Sequence, residues 1–189
     1  MQIERTALSG VLVLHPRRHA DERGFFSETY RRSELARAGI HDQFVQDNHS
    51  RSGAIGTIRG LHFQIPPWAQ AKLVRVSRGA IFDVVVDVRQ GSPTYGRHVV
   101  VHLSAEKWNQ LYVPVGFAHG LCTLEANTEV QYKVSAEYSQ DHERGVLWND
   151  PALGIAWPVP ESEAQLSGRD RGHPPLSELP AYFTIDAPA

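Results

Sequence analysis

Several polar side chains of this sequence lie on strand faces that also carry core residues. In the predicted strands, Lys72, Tyr132, His119, Gln46 and Asn48 are each an even number of residues from apolar residues, and residues two apart share a face. A buried polar group without a partner costs about 1–3 kcal/mol, so each group needs a neighbour or a ligand. Any one of them alone is better explained as a core residue that hydrogen-bonds to the backbone. Together they favour a polar cavity inside a barrel.

The functional groups of such a cavity suit proton transfer. A neutral histidine abstracts a proton, a tyrosine returns one from the other side, and a lysine stabilises negative charge on a carbonyl oxygen. The sequence has one cysteine, Cys122, and no Gly-x-Ser-x-Gly motif, so it offers no recognisable nucleophile. The set therefore predicts deprotonation next to a ketone and reprotonation, which is the chemistry of an epimerase or isomerase.

Length and composition limit the classes of protein that need considering. At about 150 residues per domain, a chain of 189 residues predicts one domain over 1–189. The formal net charge of -2 argues against a nucleic-acid protein with a large basic surface, so any anion site must be a local cluster of Arg and Lys. The single cysteine, the lack of a signal-like segment in residues 1–13 and the short apolar runs predict a cytoplasmic protein without membrane contact.

The distribution of Gly, Pro and β-branched residues predicts an all-β sandwich or barrel with short peripheral helices. A short helix is expected at 33–38, with Ser33 as its N-cap and Gly39 at its end. Residues 154–189 are rich in Pro and polar residues, and we expect them to wrap the core as loops and short helical turns. Strands are expected at 10–14, 25–30, 44–50, 56–64, 72–77, 80–88, 98–103, 109–113, 118–125 and 128–134.

Two segments resemble the sequence motifs of the cupin superfamily, which consists of double-stranded β-helix, or jelly-roll, barrels. These are residues 56–64 and 114–119. Metal-binding cupins carry two histidines separated by one residue in the first motif, whereas here the partner of His62 is Gln64. His62 and His119 then remain as the obvious imidazoles, and two imidazoles alone make a poor zinc or iron site. We therefore expect metal-free chemistry.

A more specific resemblance is carried by six strings that occur in the order expected for one family. They are residues 21–28, 44–50, 59–64, 69–74, 113–120 and 148–151. In this respect the chain resembles the dTDP-4-dehydrorhamnose 3,5-epimerase family. The resemblance implies a cupin-fold homodimer that inverts C3 and C5 of dTDP-4-dehydro-6-deoxy-D-glucose without a cofactor. The product is dTDP-4-dehydro-L-rhamnose, in dTDP-L-rhamnose biosynthesis.

The resemblance also implies catalytic roles for four residues. His62 would be the general base, and Asp170 would orient and polarise its imidazole. Tyr132 would be the proton donor on the opposite sugar face. Lys72 would stabilise the enolate oxygen, and its phase with two valines favours a functional role independently of the family.

Further residues match the positions at which the family contacts its substrate. Arg23 and Arg59 would bind diphosphate, and Arg169 stands where the family often has a basic residue. Strict alternation puts Arg59 and His62 on opposite faces, so both reach one pocket only if the strand bulges at Gly60. The other implied contacts are Glu28, Gln46, Asn48, His119, Glu143 and Tyr138, of which Tyr138 would stack on thymine.

Three other functions remain open at this stage. The first is inversion of only C3 or only C5 of a related dTDP-4-keto-6-deoxy sugar, which Tyr132 does not exclude. A non-catalytic cupin could bind a sugar nucleotide, although the joint presence of His62, Lys72, Tyr132 and Asp170 argues against it. A storage or structural cupin would not explain the placement of the basic residues.

Overall fold

The computed structural model describes residues 1–185, and these form thirteen short strands. The predicted all-β architecture is confirmed. The strands are β1 (Gln2–Arg5), β2 (Leu12–His15), β3 (Arg18–Asp21), β4 (Gly24–Ser27), β5 (Gln46–Ser52), β6 (Ile58–Gln64), β7 (Lys72–Arg78), β8 (Ala80–Asp87), β9 (His98–Ser104), β10 (Gln110–Val113), β11 (Phe117–Thr123), β12 (Thr128–Val134) and β13 (Glu143–Gly145).

Two antiparallel sheets face each other as a double-stranded β-helix barrel of the cupin type. The larger sheet has the order β1-β2-β10-β7-β12-β5, and the smaller has the order β13-β6-β11-β8-β9. Strands β3 and β4 form a separate hairpin. Non-consecutive strands lie side by side throughout, so residues far apart in sequence reach one interior.

Strand alternation divides the apolar residues of β8 between two cores. Ile81 and Val85 pack between the sheets, where they meet Val74 and Val130 of the larger sheet. The residues that alternate with these along β8, namely Phe82, Val84 and Val86, pack in a second core on the outer face of the smaller sheet. A fully buried side chain of this size stabilises the fold by about 1.5–3 kcal/mol, so this alternation fixes the register and which polar side chains face inward.

The second core is covered by the C-terminal part of the chain. Trp148, Leu153 and Ala164 are buried there, and Trp157 packs on Trp148 with ring centroids 6.0 Å apart. Gln165 forms a bridge to Thr57 just before β6. The segment after residue 154 is thereby held against the edge of the barrel next to His62.

Two short α-helices lie at the periphery: α1 (Arg32–Arg37) and α2 (Gly168–Arg171). Single turns of 3-10 helix occur at Gln140–His142 and Leu176–Glu178. The expected N-cap role of Ser33 is wrong, because Arg31 occupies the cap position without a side-chain hydrogen bond and Ser33 lies inside the first turn. No helix in residues 1–185 has the length and apolarity needed to cross a membrane.

Three strands were not expected from the sequence. Strands β1 and β3 are exposed along their whole length, and β13 has three residues, so none presents an alternating apolar pattern. The expected strand 25–30 is shorter and pairs with β3, because the chain turns away after Ser27. Several other boundaries differ from the expected ones by one to three residues at strand ends, as for β2 and β5.

Candidate functional site

A cavity of about 800 Å³ opens between the two sheets and is bounded on one side by the C-terminal segment. The larger sheet contributes Lys72 and Tyr132, while the smaller sheet contributes His62 and His119. Eight of the residues singled out in the sequence line this cavity: Arg59, His62, Lys72, His119, Tyr132, Glu143, Arg169 and Asp170. The sequence analysis therefore located the cavity, and the fold brings these side chains together from both sheets and α2.

His62 and Asp170 form a hydrogen-bonded pair, although they are 108 residues apart in sequence. Nε2 of His62 lies 2.8 Å from Oδ1 of Asp170. Burial acts to raise the pKa of Asp170, but the hydrogen bond and charge of His62 outweigh it and hold that pKa below its usual value. The Ser167 hydroxyl accepts a hydrogen bond from the Asp170 backbone N–H and fixes the start of α2. This arrangement leaves Nδ1 of His62 as the nitrogen available to a substrate proton.

The expected bulge in β6 is present at Gly60. On β11, His119 pairs with His62, and Leu121 pairs with Arg59, so the single residue between them on β11 is opposite two residues of β6. Gly60 has a φ of +125°, and a Cβ on it would lie 2.5 Å from Cα of Gly120. Only glycine fits this position, and the extra residue turns Arg59 and His62 into the same cavity.

Lys72 is a buried lysine whose ammonium group is held next to His62. Its Nζ donates a hydrogen bond of 3.1 Å to the backbone carbonyl oxygen of His62. Burial lowers the pKa of Lys72 to about 8, against the attraction of Glu143 and Asp83. An ammonium group in this low-dielectric setting interacts strongly with any negative charge that develops nearby.

His119 belongs to a second buried imidazole–carboxylate pair, with Nε2 2.7 Å from Oδ1 of Asp83. Burial raises the pKa of Asp83, while His119 and Lys72 act in the opposite direction. Asp83 was not singled out in the sequence. Its position between hydrophobic residues of β8, in phase with Ile81 and Val85, is a sequence signal that could have indicated it.

Tyr132 faces the cavity from the sheet opposite His62. Burial raises its pKa, and the nearby Glu143 carboxylate adds to that effect, whereas Arg59 opposes it. The phenol therefore carries its proton at neutral pH. A protonated phenol on one wall and an imidazole on the other wall are placed to work on opposite faces of a bound ring.

A hydrogen-bonded group of side chains lies at the cavity entrance. The Tyr138 hydroxyl donates to Oε2 of Glu143 at 2.7 Å, and Nη2 of Arg169 lies 2.5 Å from the same oxygen. Nε2 of Gln46 donates to Oδ1 of Asn48, and the backbone N–H of Tyr138 donates to Oε1 of Gln46. Gln46, Asn48 and Tyr138 line a small pocket that shares His62, Lys72 and Tyr132 with the main cavity.

Arg23 and Glu28 do not line either pocket of the described chain. Arg23 lies on the β3–β4 hairpin, pairs with Asp21 and has a side chain that is 84% exposed. Glu28 follows the hairpin and pairs with Arg31 on the surface. Because these residues lie on or directly after the β3–β4 hairpin, which belongs to neither sheet of the barrel, the fold of one chain leaves them outside its own cavity.

The structure adds one imidazole, that of His173, which the sequence analysis did not consider. Its ring meets the ring of His62 edge to face, with centroids 5.4 Å apart, and its Nε2 lies 3.9 Å from Oδ1 of Asp170. Burial is the main reason that the pKa of His173 is lowered. Its spacing of three residues from Asp170 was the only sequence signal that could have indicated it.

Comparison with known proteins identifies the family of this chain. The family model described as dTDP-4-dehydrorhamnose 3,5-epimerase matches residues 5–178. A relative from Sinorhizobium fredii, named dTDP-4-dehydrorhamnose 3,5-epimerase, is 51% identical over 187 residues, which is 97% of this chain and 93% of the relative.

Solved structures give the same result. The epimerase from Legionella pneumophila in complex with dTDP-4-keto-L-rhamnose has a TM-score of 0.93 and 40% identity, covering 98% of this chain and 99% of that one. The epimerase from Bacillus anthracis with TDP and PPi bound has a TM-score of 0.89 and 49% identity, covering 92% and 98%. With its cupin barrel and the cavity described above, this chain is an isomerase that belongs to the dTDP-4-dehydrorhamnose 3,5-epimerase family.

Proposed function

We propose that this protein inverts C3 and C5 of dTDP-4-dehydro-6-deoxy-D-glucose and forms dTDP-4-dehydro-L-rhamnose without a cofactor. The observation that carries the proposal is the placement of His62, hydrogen-bonded to Asp170, and of Tyr132 on facing sheets of one cavity, with Lys72 buried beside them. A binding module has no need for a base and an acid on opposite walls.

The proposed reaction is two successive inversions at the carbons next to the C4 ketone, each of which consists of one proton removal and one proton delivery. Nδ1 of His62 takes the proton, the electron pair of the C–H bond forms the C=C bond of an enolate, and the C4 oxygen takes the negative charge. The Lys72 ammonium stabilises that oxygen, which is worth roughly 3 kcal/mol for a single well-placed donor. Tyr132 then gives a proton to the carbon from the other face, and the phenolate and imidazolium are reset by exchange with solvent.

The nucleotide part of the substrate would be bound by the basic and aromatic groups at the cavity rim. Arg59 and Arg169 line the cavity in a chain whose net charge is -2, so they form a local cationic site for the diphosphate. The exposed ring of Tyr138 offers a surface on which thymine would stack. Gln46, Asn48, His119 and Glu143 would supply the remaining hydrogen bonds.

We also propose that the protein works as a homodimer in which the β3–β4 hairpin of one protomer reaches the cavity of its partner. Arg23 is a substrate contact by family resemblance, yet it lies outside the cavity of its own chain. Next to it, Phe25 and Phe26 are 50% and 72% exposed, and such neighbouring exposed aromatic rings mark a binding surface. Docking on a second copy would bury the rings, deliver Arg23 to the diphosphate and bring Glu28 to another part of the substrate.

The experiment that tests the function is incubation with dTDP-4-dehydro-6-deoxy-D-glucose in deuterated water, followed by NMR. Deuterium at both C3 and C5, together with formation of the L-rhamno product, is the expected result. Deuterium at only one carbon would identify a single-carbon epimerase instead. Absence of deuterium at both carbons would contradict catalysis and favour a sugar-nucleotide-binding role.

A further inference from the structure

Two imidazoles and a carboxylate converge at the edge of the catalytic cavity. One nitrogen of His62, one nitrogen of His173 and one oxygen of Asp170 all lie within 4.8 Å of one another. The individual distances to Oδ1 of Asp170 are 2.8 Å from His62 and 3.9 Å from His173. The hydrogen-bonded pair that orients the base is therefore also part of a three-membered cluster.

His173 is held in this cluster by its packing and not by a hydrogen bond from its Nε2 atom. Nε2 of His173 is buried and has no hydrogen-bond partner among residues 1–185. The ring lies against the backbone of Gly145, where a Cβ would come within 2.4 Å of that nitrogen. Gly145 pairs with His62 on β6, so the same contact sets the position of both imidazoles. The packing of the ring thus fixes Nε2 of His173, a potential metal ligand, in a position where it has no hydrogen-bond partner among the described residues.

The donor set and its spacing suit a transition-metal ion. Two imidazoles and one carboxylate form a common protein ligand set for zinc and related ions, usually with water at the remaining position. Ligands at about 2.1 Å from a tetrahedral ion are roughly 3.4 Å apart, and the 2.8 and 3.9 Å separations bracket that value. The nearby positive charge of Arg169 is balanced by Glu143, 2.5 Å away.

We propose that a divalent transition-metal ion, represented by Zn²⁺, binds to Nε2 of His62, Oδ1 of Asp170 and Nε2 of His173 and inhibits this enzyme. On binding, the metal takes the Nε2 lone pair of His62, and the proton that Nε2 carried moves to Nδ1. Nδ1 then holds a proton and no longer acts as the base, while Asp170 becomes a metal ligand. No electron is transferred, and removal of the metal restores the original tautomer.

The inhibitory effect rests on the proposed epimerase function, whereas the binding itself does not. Binding is therefore measured first, without substrate, by calorimetry with Zn²⁺ and by the visible absorption of added Co²⁺. We expect one ion per chain and a Co²⁺ spectrum more intense than that of the aqueous ion. His173→Phe keeps the ring against Gly145 and removes the nitrogen, and it should weaken Zn²⁺ binding at least about tenfold, since even outer partners of ligands contribute 10- to 100-fold.

The matched control is His49→Phe. His49 lies 3.1 Å from Glu129 on the outer surface and forms an imidazole–carboxylate pair without a third ligand. This variant should bind Zn²⁺ like the unaltered protein. His173→Gln, checked for folding by circular dichroism, provides a second test that does not depend on how well phenylalanine packs.

Activity is measured next, as solvent deuterium exchange with and without Zn²⁺. Zn²⁺ should inhibit the unaltered enzyme reversibly, and His173→Phe should need at least about ten times more metal for the same inhibition. Equal Zn²⁺ affinity in the unaltered protein and both His173 variants would overturn this inference and leave the proposed function intact. Specific Zn²⁺ binding in a protein that never exchanges deuterium would support the site and contradict the epimerase.

Discussion

Arg59 and His62 lie three residues apart on one strand, and both side chains line the same cavity. In a regular strand, such a pair would point to opposite faces of the sheet. The bulge at Gly60 removes this conflict, so the residue that would hold the diphosphate and the residue that would remove the proton are placed by one backbone irregularity. The relative position of the proposed diphosphate-binding residue and the proposed base is therefore set by a glycine that has no functional side chain.

Replacing that glycine should damage both stability and activity. In Gly60→Ala, the new Cβ would collide with the backbone of Gly120, so β6 must shift. We expect the free energy of unfolding in urea to fall by at least about 1–3 kcal/mol and kcat/KM to fall with it. Gly39→Ala is the matched control, because Gly39 also has a positive φ but has open space around it. Unchanged turnover in Gly60→Ala would contradict the role given to the bulge.

The rate should depend on the protonation state of Lys72. Burial lowers the pKa of Lys72 to about 8, and only the ammonium form stabilises an enolate, so kcat/KM should fall as the pH rises through this value. Lys72→Met should be slower by about 10²-fold, because one electrostatic donor is lost. Its residual activity should lack this alkaline decline. An unchanged decline in Lys72→Met would assign it to another group.

The base and the acid should be separable by isotope exchange. His62→Ala and Asp170→Asn should lose incorporation of solvent deuterium, because no proton leaves carbon without an oriented base. Tyr132→Phe should retain exchange at one or both carbons with retained configuration and lose most of the inverted product. NMR of the recovered sugar distinguishes these cases. If exchange persisted in His62→Ala and disappeared in Tyr132→Phe, the two roles would have to be reversed.

A complementation test can show which chain of the dimer supplies Arg23 to a given cavity. Arg23→Ala and His62→Ala chains should each be inactive or strongly impaired alone. If the hairpin acts across the dimer, a mixed dimer contains one site with both native residues, so co-refolded chains should regain activity. Size-exclusion chromatography with light scattering verifies the dimer. Failure of the mixed dimers to regain activity would assign Arg23 to its own chain or to no role.

Chelation should leave turnover intact. The base, the acid and the enolate-stabilising group of the proposed reaction are all side chains of the protein, so a strong chelator removes nothing that the reaction uses. If trace zinc inhibits the preparation, the chelator removes that zinc and the rate rises. The measurement is turnover before and after dialysis against a chelator. A large loss that added zinc, iron or manganese restores would show a metal-dependent reaction.

Strand phase in the sequence was sufficient to place Lys72, Tyr132 and His119 on inward faces. Period-2 alternation survives in the structure wherever one face of a strand is buried, which is why this inference works. The exposed strands β1 and β3 lack that signal and were not expected.

Asp170 could be paired with His62 only through family resemblance. Alternation carries no information about contacts across 108 residues, and the sequence around Asp170 reads as a charged loop. His173 was not predicted for the same reason: its contact with His62 depends on how the C-terminal segment crosses the barrel edge, which strand alternation does not indicate. Asp83 had a visible signal, a carboxylate inside an apolar strand, that was not used.

The His62–Asp170 pair joins the barrel to the segment that wraps it, and this has a consequence for how activity is acquired. Contacts between residues so far apart in sequence form late in folding, because the closure of long loops is slow. A refolding chain should therefore assemble its barrel before it gains a working base, with recovery of turnover lagging behind formation of β structure. A protease cut between the barrel and α2 would likewise silence the enzyme while most of its strands stayed paired.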